Sequence, residues 1–130
     1  MGKVRVVPLP WTTIYGFGTQ AQSIVAGPWL AAGAIQRVRV TWEFRTSSDP
    51  TELQVAPGYQ TADQEDDPGS DTTLGSQTSS EGMKYPTAWT DVSSNTEGKQ
   101  LFRPVWRVSN AAANTLTAGR VGGVMEIEEV

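Results

Sequence analysis

Cysteine and histidine are both absent from the 130 residues of the chain. Without cysteine there is no disulfide framework and no thiolate-held zinc or iron–sulfur centre, and the redox compartment stays open. Without histidine the usual general base near neutral pH and the commonest metal ligand are missing, which removes Ser-His-Asp and Cys-His catalysis. Positive charge is scarce as well. Ten Lys and Arg against 14 Asp and Glu leave a formal charge of −4, which argues against a chain-wide electrostatic grip on nucleic acid. Long apolar runs are lacking too: Met1 to Pro8 contains no signal-peptide core, and no stretch reaches the length of a membrane span. Val6 stands where a myristoylation signal has Ser or Thr. The expectation is a soluble chain, made in the cytoplasm, with no membrane partner and no cofactor.

What the chain does contain is a strand signal. In Ile35 to Arg45, the residues Val38, Val40, Trp42 and Phe44 recur at period two, and Arg37, Arg39, Thr41, Glu43 and Arg45 occupy the alternate positions. A helix would scatter these apolar side chains around its circumference, whereas a half-covered pleated surface accepts the β-branched and aromatic ones. Leu101 to Ser109 repeats the pattern, with Phe102, Trp106 and Val108 opposite Arg103, Val105 and Arg107. Arg120 to Val130 repeats it again, with Val121, Met125 and Ile127 opposite Arg120, Val124, Glu126 and Glu128. Three such segments with no competing helix predict an all-β chain, an antiparallel β-sandwich or jelly-roll-like barrel with Trp42 and Trp106 in its core. The length fits one domain that buries roughly two-thirds of its unfolded surface.

The segments between are less regular. Residues 1–33 are broken by Pro8, Pro10, Gly16, Gly18, Gly27, Pro28 and Gly33, and read as an extended arm with short strands at Lys3 to Val7, Trp11 to Tyr15 and Ala21 to Val25. Residues 34–130 read as the sandwich. A turn is expected at Ser47 to Pro50, a short strand from Glu52 to Val55 ending at Ala56-Pro57-Gly58-Tyr59, and a long polar loop from Thr61 to Gly82. Met83 to Val92 reads as a strand kept at an edge by Pro86, with polar turns at Ser93 to Gly98 and Asn110 to Asn114.

Several constellations invite a chemical reading. Asp63, Glu65, Asp66, Asp67 and Asp71 are hard-oxygen donors, yet an EF-hand loop opened by Asp63 would place Pro68 at its sharp-turn glycine and Leu74 at its closing Glu, so a solvated acidic loop is the better reading. No spacing selects two of these carboxylates, or Glu43 and Glu52, as a glycosidase pair, and the chain is read as no enzyme. Gly16-Phe17-Gly18-Thr19-Gln20-Ala21 fits the dinucleotide fingerprint in letters only, because Gly27-Pro28 ends any helix it would open, and the glycines read as turns. Trp11, Trp29, Tyr59, Tyr85 and Trp89 offer a stacking platform for a sugar ring, with packing as their ordinary role. Arg37, Arg39, Arg45, Arg103, Arg107 and Arg120 form a basic stripe if their strands are neighbours, although pairing with Glu43, Glu126 and Glu128 is the simpler account.

With Val38-Arg39-Val40-Thr41-Trp42-Glu43-Phe44 and Phe102-Arg103-Pro104-Val105-Trp106-Arg107-Val108 as its framework, the short acidic chain with Ser/Thr/Gly-rich loops and a Pro/Gly-rich N-terminal segment resembles the small structural proteins of tailed bacteriophages, especially capsid decoration or cement proteins. The resemblance implies a location in the virion, binding to the major capsid protein or other virion proteins, and a homo-oligomer, often a trimer. From the exposed aromatics and the arginine stripe, the partner-binding residues are expected to be Trp11, Tyr15, Trp29, Arg37, Arg39 and Trp89, with the arm, residues 3–29, ordered on a neighbouring subunit. A carbohydrate-binding β-sandwich module, or a tail or head–tail joining component, is the alternative.

Overall fold

The computed structural model describes residues 2–17, 19–46, 53–65, 68–85, 88–111 and 116–130. Its strands are β1 (Lys3–Phe17), β2 (Gln22–Val25), β3 (Leu30–Ala31), β4 (Ile35–Thr46), β5 (Leu53–Ala62), β6 (Pro68–Thr73), β7 (Gly82–Lys84), β8 (Thr90–Asp91), β9 (Leu101–Asn110) and β10 (Leu116–Glu129), with one helical turn, α1 (Ser93–Thr96), before β9. The three segments with the strongest alternation are β4, β9 and β10, the central strands of the two sheets they belong to. One sheet runs β1-β10-β4-β7 with β8 also paired to β4, and the other runs β2-β9-β5-β6 with β3 also paired to β9.

The topology is that of one long antiparallel ribbon rolled up. Its rungs are β1 with β10, β2 and β3 with β9, β4 with β7 and β8, and β5 with β6. Rolling the ribbon brings β10 alongside β4 and β9 alongside β5, which completes the two sheets. This is the jelly roll, in which two Greek keys face each other across a core. That core is filled by the period-two residues: Val38, Phe44, Met125, Ile127, Phe102 and Trp106 are fully buried, and Trp42 meets Trp106 with ring centroids 5.6 Å apart. Burying an aliphatic or Phe side chain of this kind contributes about 1.5–3 kcal/mol, so the alternating strands account for most of the drive to close the sandwich.

The structure corrects several expectations drawn from the irregular segments. Residues 1–33 are not an arm set apart from the sandwich. Lys3–Phe17 is a single 15-residue strand paired to β10 from Lys3↔Glu129 to Phe17↔Leu116, and β2 and β3 pair with β9. Pro8 and Pro10 do not break β1 because it is an edge strand paired on one side, and the register shifts between Leu9 and Thr12, at Pro10. Gly16 is no turn. It lies within β1, where a Cβ would collide with Asn110 and Leu53, and its carbonyl accepts from Asn110 Nδ2 at 2.8 Å.

The strand expected to end at Ala56-Pro57-Gly58-Tyr59 instead continues to Ala62. Pro57 is accommodated because it lies beyond the end of the β6 ladder, which pairs with Gly58 to Ala62, and before the separate bridge of Val55 to Thr78: its carbonyl accepts from the Leu74 N–H at 2.8 Å, and the ladder does not call on its missing N–H. The supposed polar loop from Thr61 to Gly82 accordingly contains β6 and that bridge. Ser93 to Thr96 forms a helical turn held by Thr96 Oγ1, which donates to the Ile35 carbonyl at 2.7 Å. The expectations placed on Ser47 to Pro50, Glu52, Asp66, Asp67, Pro86, Gly18 and residues 112–114 lie outside the described residues.

Candidate interaction surface

In the sheet β1-β10-β4, alternate residues point away from the core, and the register lays them out in rows. Val4, Glu128 and Arg37 form one row, continued by Asp91 on β8, and Val6, Glu126 and Arg39 form the next. Pro8, Val124 and Thr41 follow, and Glu43 beside Gly122 is continued by Met83 on β7. Gly122 matters here because its missing Cβ leaves room for the Trp11 indole: an added Cβ would lie 2.9 Å from Trp11 Cδ2 and 3.0 Å from Cγ. Trp11 therefore lies close against Gly122 of β10, with Arg120 5.5 Å from its ring centre.

Three of the four arginines on this face are paired within it. Arg37 donates to both carboxylate oxygens of Glu128 at 3.0 and 2.7 Å, Arg39 to both of Glu126 at 3.0 and 3.2 Å, and Arg45 Nε to Glu43 at 2.6 Å. Bidentate geometry fixes the side chains more than it stabilises the fold, since exposed pairs contribute about 0–1 kcal/mol. The hydrogen bonds from Arg37 to Glu128 push its guanidinium pKa upward, leaving it charged at every practical pH. Trp89 stacks on the pair of arginines, 4.3 Å from Arg39 and 5.5 Å from Arg37.

Apolar side chains fill the remainder. Val4 is 50%, Val6 59%, Trp11 47%, Tyr15 48% and Met83 44% exposed, far more than the inward residues of the same strands. Between Trp11 and Met83 lies a shallow, mostly apolar hollow of about 400 Å³, floored by Pro8, Thr41 and Val124. A smaller one of about 190 Å³, lined by Arg45 and Arg120, lies on the other side of Trp11. Trp11 is thus a ridge between an apolar and a cationic depression.

Of the residues singled out from the sequence, Trp11, Tyr15, Arg37, Arg39 and Trp89 gather on this face, and Trp29 does not. Trp29 lies at the second sheet, its ring 4.2 Å from Arg103. The arginine stripe is divided the same way. Arg37, Arg39, Arg45 and Arg120 belong to the first sheet, whereas Arg103 and Arg107 belong to β9 in the second; Arg37 and Arg39 pair across strands with Glu128 and Glu126, Arg45 pairs with Glu43 of its own strand, and Arg103, Arg107 and Arg120 have other partners. Tyr59 leaves the stacking platform: it is 2% exposed, stacked on Phe102 at 5.2 Å, and its hydroxyl accepts from Asn95 Nδ2 at 2.6 Å.

Asp71 leaves the solvated acidic loop. Its Oδ2 accepts from Arg107 Nη1 at 2.6 Å and from Ser23 Oγ on the outer side of the second sheet. Among the described residues, no three acidic side chains are grouped so as to hold a metal ion. The sequence reading placed Val124 on the outward face of its strand but missed Val4, Val6 and Met83 as surface residues. Their signal was the alternation Val4, Val6, Pro8 along β1, legible as a face only once β10 supplies the register.

Fold and surface together define a class: an antiparallel jelly-roll sandwich that presents one apolar, charge-balanced sheet face to its surroundings. Solved structures similar to it include infectious bursal disease virus of the Gt strain, with a TM-score of 0.67 at 10% identity, and the VP2 subviral particle of the same virus, with 0.61 at 9%. A third is the Gx strain, with 0.59 at 9%. The matches cover 98–99% of this chain and 33% of each viral chain, so the chain spans about a third of their length. At this identity the likeness is one of fold. No protein-family model and no curated protein sequence matches the chain.

Proposed function

We propose that the chain is a structural protein of a virion, working through contacts between folded surfaces with no catalytic step. The observation that carries this reading is the jelly-roll likeness over 98% of the chain to structures of virus particles, joined to an outward sheet face whose apolar side chains are about half exposed. The finer role is that of a capsid decoration or cement protein of a tailed bacteriophage, made in the host cytoplasm, binding the major capsid protein and neighbouring copies, with a trimer as the favoured assembly. Repetition over a shell makes modest contacts sufficient, because each additional contact acts intramolecularly. Head–tail joining or tail components share this logic and differ in copy number. Quantitative mass spectrometry of purified particles is the test. A shell protein appears in a copy number matching the capsid lattice, a joining protein in a few copies per particle, and absence from the particle overturns the reading.

A second reading has its own observation. Between the open edges of the two sheets lies a hollow of about 280 Å³ lined by Trp42, Tyr85, Arg39, Lys84 and Thr90, with Tyr85 72% exposed. Aromatic walls and polar groups in one concave site suit a sugar ring, and jelly rolls also serve as lectin domains. A glycan array separates the two readings: a signal lost on Tyr85→Ala supports the carbohydrate module, and no signal removes it.

A further inference from the structure

We propose that the outer face of β1-β10-β4 is where a second copy of this chain docks, with Trp11 and Met83 as its anchors. The inference rests on the reading of the chain as an assembly protein and names the partner for one particular face. Three observations select a second copy. The first is charge. Two identical surfaces meet only if the surface complements itself, and an uncompensated charge of one sign opposes its own image. Here Arg37, Arg39 and Arg45 are paired with Glu128, Glu126 and Glu43, and the fourth cation, Arg120 over Trp11, is offset by Asp91 at the end of the Arg37 row, so these charges are four of each sign within a chain of net charge −4.

The second is extent. The three strands have 15, 14 and 12 residues. At ~4.8 Å between strands and ~3.3 Å per residue they present roughly 15 by 40 Å, about 600 Å² in projection, which approaches the ~800 Å² per partner of a standard interface. The third is the character of the free edge. Pro8 and Pro10 remove two backbone donors from the middle of β1, which blunts strand-to-strand addition there and leaves the face, not the edge, as the sticky element. The contact is two-fold, and so distinct from the three-fold contacts within a trimer: it sets hollow against hollow, with the Trp11 ridge of each copy in the apolar depression of the other and the Arg–Glu ladders at the rim.

The test is sedimentation of the full chain across micromolar concentrations, with Val6→Lys and Met83→Lys. Each new lysine stands directly across from a glutamate, Glu126 or Glu43, so folding is retained while a cation is placed where association removes water. The expected result is concentration-dependent association that either substitution weakens by about tenfold or more. Val25→Glu, at an equally exposed valine on the second sheet, leaves it unchanged, and circular dichroism confirms that all variants fold. A chain that stays monomeric throughout, or associates equally well with either lysine, overturns the inference. Particles that contain the chain although it does not self-associate sink this inference alone, and self-association without incorporation into particles sinks the proposed function alone.

Discussion

Asp71, Arg107 and Ser23 form a small polar cluster on the second sheet, with the Arg107 and Asp71 side chains 22% and 15% exposed. Arg107 Nη1 donates to both Asp71 Oδ2 and Ser23 Oγ, so removing the carboxylate leaves a largely desolvated guanidinium without its anion. Asp71→Ala is expected to cost about 1–3 kcal/mol in urea denaturation, and the double variant with Arg107→Ala less than the two single losses added. Gly123 sits where β10 crosses Trp42, and a Cβ there would lie 2.7 Å from Trp42 Cα. Gly123→Ala is therefore expected to destabilise by about 1–3 kcal/mol, read in the same experiment. Neither residue announces this in the sequence. Asp71 follows a run of acids and its partners stand 36 and 48 positions away, so composition predicted a solvated loop where the register supplies a pair. Trp42 and Trp106, by contrast, were legible as core because strand alternation alone decides which face they share.

At the scale of elements, the turn after β8 depends on Asp91. Its Oδ1 accepts from the Ser93 hydroxyl at 2.6 Å and the Ser93 backbone N–H at 2.8 Å, which starts the helical turn α1. These two bonds, hydroxyl first, outweigh partial dehydration and hold the carboxyl below its ordinary value of 3.8, with Arg37 adding a smaller push in the same direction. A carboxyl with a lowered folded pKa contributes stability above its unfolded value and loses it as pH falls through the folded one. The stability advantage of the native chain over Asp91→Asn is thus expected to be constant near neutrality and to shrink below about pH 4 in a pH series of urea melts. Elements with strong alternation were legible, whereas β1 and β5 were cut short in the sequence reading at Pro8, Pro10 and Pro57. Those prolines sit where no neighbouring strand needs a donor, a fact of sheet order that local sequence does not carry.

For the whole molecule, the rolled ribbon joins the two ends of the chain: β1 pairs with β10 along its length, and Lys3 faces Glu129. Removing residues 1–17 therefore exposes the β10 edge and uncovers core residues otherwise shielded by Val7, Leu9 and Ile14. The truncated chain is expected to lose its cooperative thermal transition by circular dichroism, whereas an accessory arm would be dispensable to the fold. Pairing across so long a loop also predicts slow refolding, on the order of milliseconds to seconds in stopped-flow fluorescence of the five tryptophans. The sandwich itself was legible in three alternating segments, but the face it turns outward emerged only when distant strands were set side by side. Cryo-electron microscopy of particles carrying the chain tests the account most directly. The account predicts jelly-roll density with the Trp11 and Met83 face buried against protein. Particles without that density, or with that face turned to solvent in every copy, would contradict it.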